Sequence, residues 1–233
     1  MSPDWPLEGS VVVVTGGGRG IGRAVACALG AAGAEVAICG RHQPELDEAA
    51  QAIHEAAQSR VDVLAVRCDV AREEDVSRFA AEVEGRLGAC AILVNGAGQV
   101  GRGRLDTQTI EEWRGLFDVN LFGVYLMSRA FLPSMRRARR GRIVNVAAIA
   151  GQRGAALLSA YWAAKHAVIG LTRALAEELR DENIQVNAVC PGSPGAAATA
   201  TSSTAPEDVA RVVRFLAVEA PPALTGTCLE VTG

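Results

Sequence analysis

The sequence predicts an α/β protein with one doubly wound parallel sheet and helices on both faces. Three observations carry that reading. Short β-branched runs alternate with longer Ala-rich stretches along the 233 residues. The short runs are almost continuously apolar, as in strands buried on both sides, and do not alternate like strands with one wet face. A glycine-rich turn follows the first run and opens the first Ala-rich stretch, giving the strand–turn–helix order of a parallel crossover unit.

Taken in order, strands are expected at Val11–Val14, Val36–Cys39, Val61–Val66, Ile92–Val94, Ile143–Val146 and Val186–Val189, with a short last strand at Cys228–Val231. Helices are expected at Ile21–Ala32, Pro44–Gln58, Glu73–Leu87, Ile110–Met135, Ala160–Arg180 and Pro206–Ala217. Right-handed crossovers then place helices on both faces. No linker separates these elements, so residues 1–233 read as one domain with a polar tail at 1–8. Residues 193–205, SPGAAATATSSTA, are small and uncharged, and read as a flexible loop.

Composition excludes several roles. The net charge of −3 supplies no field for nucleic acid or anionic lipid, and 4% aromatic residues cannot form base-stacking platforms. The six cysteines contain no C-x-x-C pair and no zinc-like spacing, so they read as small apolar residues in a reducing compartment. No membrane span or leader pattern is present, and a soluble cytoplasmic protein is expected. The run Arg136, Arg137, Arg139, Arg140, Arg142 reads as a solvated helix end, with a phosphate patch as the other reading.

The strongest motif runs from Val11 to Gly22, VVVVTGGGRGIG. Glycines allow a sharp turn, a close backbone approach to a pyrophosphate and tight helix–sheet packing, and the anion sits on free helix N–H groups. Gly16, Gly18, Arg19, Gly20, Ile21 and Gly22 are therefore candidate dinucleotide-binding residues, in a Rossmann-type fold. The second strand leads into Gly40-Arg41, where NAD-binding sites carry an acid for the ribose 2′-OH. Arg41, with Arg19 nearby, can instead pair with a 2′-phosphate, so NADP(H) is favoured over NAD(H).

Tyr161 and Lys165 are four residues apart on a predicted helix, hence on one face. A neighbouring ammonium favours the phenolate and lowers the tyrosine pKa from near ~10. Tyr161 can then pass a proton to a carbonyl oxygen or take one from an alcohol.

These motifs together resemble the short-chain dehydrogenases/reductases, from about Gly9 to Gly233. The T-G-x-x-x-G-x-G motif is Thr15 to Gly22. The Asp-Val pair is Asp69-Val70, with Asp69 implied to contact adenine. The N-N-A-G motif appears as Asn95-Gly96-Ala97-Gly98. The active-site Asn matches Asn120, Y-x-x-x-K is Tyr161 to Lys165, and the later P-G is Pro191-Gly192. The resemblance implies that Pro191 and Gly192 flank the nicotinamide, that Lys165 holds its ribose, and that Asn120 supports a water-linked proton path. It also implies a homodimer or homotetramer built on the two longest helices, and a small carbonyl or alcohol substrate. The nearest general likeness is to the 3-oxoacyl-carrier-protein reductases.

Two departures stand out. Family spacing from Tyr161 puts the catalytic serine position at Ala148, which has no hydroxyl, while nearby Ser159 reads as a helix cap. The segment between Gly192 and Pro206 is shorter than the usual substrate lid, so an open, wet site is expected. Two readings follow: a reductase or dehydrogenase slowed by Ala148, or a weak or inactive NADP-binding protein that acts through binding or oligomerisation.

Overall fold

The computed structural model describes residues 6–148, 155–192 and 204–232. Seven parallel strands form one sheet: β1 (Val11–Thr15), β2 (Glu35–Gly40), β3 (Val63–Arg67), β4 (Cys90–Asn95), β5 (Gly141–Val146), β6 (Ile184–Pro191) and β7 (Cys228–Val231). Their order is β3-β2-β1-β4-β5-β6-β7. The helices are α1 (Gly20–Gly30), α2 (Gln43–Ala56), α3 (Glu73–Arg86), α4 (Ile110–Phe117), α5 (Gly123–Ala138), α6 (Ser159–Glu178) and α7 (Pro206–Val218). The expected fold class is the one found.

Strand alternation divides the core. Val12, Val14, Val36 and Ile38 face one side, where Val25, Leu29, Ile53 and Val213 of α1, α2 and α7 cover them. Val13, Ala37, Leu93 and Val186 face the other, against Phe79, Phe131 and Met135 of α3 and α5. Each of the Val, Leu, Ile, Phe and Met side chains, fully buried, contributes about 1.5–3 kcal/mol. The Phe79 and Phe131 rings meet edge-on at 6.2 Å, so Phe131→Ala would open the second core.

Local signals set the helix starts. Proline stands in the first turn of α2 and α7, where a missing N–H costs nothing. At α4, Thr109 Oγ1 accepts from Glu112 N at 3.2 Å while Thr109 N donates to Glu112 Oε2 at 2.8 Å, a reciprocal capping box.

The structure corrects two expectations here. The single helix expected over Ile110–Met135 is two helices joined by a π-helical turn, Asp118–Phe122, and α5 ends at Arg139 in the left-handed region (φ 46°). In the arginine run, Arg136 and Arg137 form the expected solvated helix end, exposed in the last turn of α5 and met by surface carboxylates, while Arg142 departs from it. Arg136 pairs with Glu178 and Glu182, and Arg137 with Glu84. Arg142, on β5, donates to the carbonyls of Leu216 and Ala220 at the end of α7. Among the described residues no helix is long and apolar enough to cross a membrane, and no cluster could hold a metal.

Candidate active site

Strand order reverses between β1 and β4, so a crevice opens at their carboxyl ends. Thr15 closes its floor: Oγ1 accepts from Gly96 N and Ala97 N, both at 3.0 Å. Gly16 turns the chain at φ +67°, and a Cβ on Gly22 would stand 2.1 Å from Gly16 O. Both positions therefore require glycine. The resulting cleft, about 390 Å³, brings together Gly16, Gly18, Arg19, Gly20, Ile21, Gly22, Arg41, Asp69, Val70, Ala97 and Gly98.

This cleft fits a dinucleotide. Helix α1 has no side-chain cap, so its first amides lack an internal acceptor. Gly20, Ile21 and Gly22 of that turn line the cleft, and a Cβ on Gly20 would meet nothing within 4 Å. The backbone thus presents free N–H groups to an open space of the kind an anion fills.

Sequence reasoning missed Glu45, His42, Gly96 and Val119, which also line the cleft. Glu45 lies 3.8 Å from Arg19, with both side chains exposed. Arg19 is therefore shared with a carboxylate, and the two are screened by water. The signal was available: Glu45 is in the first turn of the helix that follows Arg41. Asn95, by contrast, does not line the cleft. Its side chain is buried and donates to Asn145 Oδ1 at 2.8 Å and Ser128 Oγ at 3.3 Å, tying β4 to β5 and α5.

At the other end of the crevice, Gly98 lies against two functional candidates. A Cβ there would fall 3.1 Å from Asn120 Oδ1 and 3.5 Å from Lys165 Nζ. Asn120 sits in the π-helical turn, a feature common at functional sites. Its Nδ2 donates to Leu116 O at 2.9 Å and Gln99 O at 2.8 Å, and its Oδ1 accepts from Gln99 N at 3.2 Å. The side chain is therefore fixed by the bend that carries it.

Lys165 is 3% exposed and donates to Val146 O at 2.8 Å. Burial lowers its pKa to about 8. Tyr161 lies on the same helix face, its ring centroid 5.9 Å from Lys165 Nζ. The expected fall in the tyrosine pKa is not found: burial pushes Tyr161 up to about 12. Desolvation outweighs an ammonium that is itself turned to a backbone carbonyl.

Ala148 is buried in an apolar cluster with Leu158, Tyr161 and Trp162. Ser159 does not cap α6. Leu158 is the N-cap residue, and Ser159 Oγ is buried without a partner, as is Trp162 Nε1. Pro191 ends β6, and Gly192 N donates to Val231 O at 3.0 Å and to Thr204 Oγ1 at 3.1 Å. The short-lid expectation concerns residues 193–205, of which 193–203 lie outside the described residues.

A family model for short chain dehydrogenases matches residues 10–208. The chain is 33% identical over 242 residues to a 3-oxoacyl-(acyl-carrier-protein) reductase of Synechocystis, covering 97% of each chain. It is 40% identical over 184 residues to a protein of Streptomyces violaceoruber that bears the name of a granaticin polyketide synthase ketoacyl reductase, spanning 66% of that protein. A crystal structure of a metagenomic short-chain oxidoreductase in complex with NADP superposes with a TM-score of 0.87 at 36% identity, covering 98% of this chain and all of that one. The chain belongs to the short-chain dehydrogenase family of oxidoreductases.

Proposed function

We propose that this protein is an NADP(H)-dependent oxidoreductase moving a hydride between the nicotinamide and a carbonyl or secondary alcohol, with 3-oxoacyl thioesters the first substrates to test. The observation that carries the reading is the meeting of Asn120, Lys165 and Gly98 at the end of the dinucleotide cleft, with Tyr161 on the Lys165 face of α6.

The amides of Gly16–Gly22 would hold the pyrophosphate, Asp69 and Val70 the adenine, and Arg41 the 2′-phosphate. Lys165 would hold the nicotinamide ribose, and Pro191 and Gly192 the ring. The bound cofactor supplies the hydride. Tyr161 gives its proton to the substrate oxygen as charge develops there, and a pKa of about 12 keeps it in the donating form across the neutral range. Asn120, immobilised by Gln99 and Leu116, orients the proton path beside Lys165. With alanine at 148 the substrate oxygen lacks one donor, a loss of about 10²–10³ in rate.

A second reading, a weak or inactive NADP-binding protein, is favoured by that same apolar cluster around Ala148. NADPH oxidation with a panel of ketones and 3-oxoacyl thioesters, beside a Tyr161→Phe control, separates the two. Turnover abolished by Tyr161→Phe supports the enzyme; cofactor binding without turnover supports the alternative.

The protein is also proposed to form a homodimer or homotetramer in the cytoplasm. Phe122 is 50% and Tyr125 44% exposed at the start of α5, an apolar surface a second copy would cover. Light scattering that returns a monomer at micromolar concentration would remove this claim.

A further inference from the structure

The dinucleotide cleft holds an acid that the proposed cofactor does not call for. Glu45 stands in the first turn of α2, shortly after Arg41. That turn lies against the glycine-rich turn: a Cβ on Gly18 would stand 3.2 Å from Glu45 Cβ and 3.5 Å from Glu45 O. Gly18, Arg19, Arg41, His42 and Glu45 all line the one cleft. The Glu45 carboxylate reaches across it to Arg19, with Oε1 3.8 Å from Nη1.

The other charged groups there are placed differently. Asp69 also lines the cleft, but its carboxylate is turned to the backbone, where Oδ1 accepts from Ala71 N at 3.1 Å. Arg41 has no acidic partner among the described residues. Of the two arginines that can meet a 2′-phosphate, one is thus unpaired and the other already faces a carboxylate. A phosphate monoester carries about −1.5 to −2 charges at pH 7, and a ribose 2′-hydroxyl carries none. An acid in this cleft therefore acts unequally on the two cofactors. It takes up the Arg19 charge, which the phosphate uses and the hydroxyl does not, and it adds a smaller direct repulsion of the phosphate.

We propose that Glu45 is a specificity-determining residue, a carboxylate that competes with the 2′-phosphate for Arg19 and so holds down the preference for NADP(H) over NAD(H); its role rests on the cofactor reading given above. Glu45 also suits the amino end of α2, which has no side-chain cap. That contribution to stability does not depend on which cofactor is bound, so the ratio of two dissociation constants separates it from the competition.

The experiment titrates the whole protein with NADPH and with NADH, read by cofactor fluorescence, in the parent and in Glu45→Gln, which keeps the side-chain length and removes the charge. The Kd for NADPH should fall about fivefold, while that for NADH moves less than about twofold. Both side chains of the pair are exposed, so the gain should shrink to less than about twofold at about 1 M salt, where the Debye length is about 3 Å. In an Arg19→Ala background, Glu45→Gln should gain only about twofold, the share left to direct repulsion. A Kd for NADPH unchanged or raised in Glu45→Gln, an equal gain for NADH, or a gain undiminished without Arg19 would overturn the proposal. An NADPH affinity unchanged by Arg41→Asp would overturn the cofactor reading and the role of Glu45 with it. An NADPH affinity that depends on Arg41 and ignores Glu45→Gln overturns the role of Glu45 alone.

Discussion

Ala148→Ser places one hydroxyl in the buried cluster of Leu158, Tyr161 and Trp162. Ala148 is 2% exposed and packs with Leu158, Tyr161 and Trp162. One added oxygen is a small volume, so overpacking is minor. Two effects then oppose each other. In the free protein the hydroxyl enters apolar surroundings, and left unpaired it costs about 1–3 kcal/mol, so Tm should fall. In the transition state charge grows on the substrate oxygen, and a donor aimed at it is worth about 2.7–4 kcal/mol, or 10²–10³ in kcat. A second signature comes from Tyr161, held at about 12 by burial. A hydrogen bond to its phenolate is worth about 1.5–3 kcal/mol, which is one to two pKa units. The alkaline limb of alcohol oxidation should therefore move down by about one unit or more. The assay is steady-state NADPH oxidation over a ketone panel for the parent, Ala148→Ser, Tyr161→Phe and the double variant. The serine should raise kcat with little change in cofactor Kd, and Tyr161→Phe should erase the gain. If Ala148→Ser binds NADPH as the parent does yet is no faster with any carbonyl, the missing hydroxyl does not limit this site.

Arg41→Asp should reverse or abolish a preference for NADPH over NADH, read as the ratio of the two dissociation constants; equal constants in the parent would sink the charge argument. Lys165 has a pKa of about 8 when folded against 10.5 for the free side chain, so the unfolded chain binds more protons between those values and stability should rise with pH across that window. The burial cost is fully present below pH 8, and Lys165→Met should relieve up to about 3 kcal/mol of it at pH 7 and flatten urea-midpoint stability from pH 8 to 10; an unchanged slope would show that another group carries it. In Gly22→Ala the new Cβ meets Gly16 O at 2.1 Å, so dinucleotide affinity measured by cofactor fluorescence should fall at least about tenfold, and parental affinity would refute the cradle.

Most of the architecture was legible because the strands are short, apolar and separated by helices of ordinary length, and glycines mark the turn that feeds the cleft. What was not legible came from contacts that periodicity does not encode. The break at Asp118–Phe122 is held by a side chain, Asn120, bonding to Leu116 O and to Gln99, and the hydrophobic pattern runs through it without interruption. Asn95 has the right place in its motif, yet its side-chain NH2 is spent on Asn145 of β5 and Ser128 of α5. Ser159 has the residue type of a cap, but the helix begins on it. The direction of the Tyr161 shift depended on how deeply the ring is buried and where the Lys165 ammonium points, neither of which spacing reveals.

The strand order also separates two properties that the chemistry uses together. Arg41 follows β2 and Ala148 follows β5, with β1 and β4 between them. Three strand spacings of about 4.8 Å place the two positions about 14 Å apart. Substitutions farther apart than about 7–10 Å with no shared partner act independently. Cofactor identity and proton transfer are then separate dials on one sheet. A chain carrying both Arg41→Asp and Ala148→Ser should show the product of the two single effects, so its coenzyme could be exchanged without disturbing its chemistry.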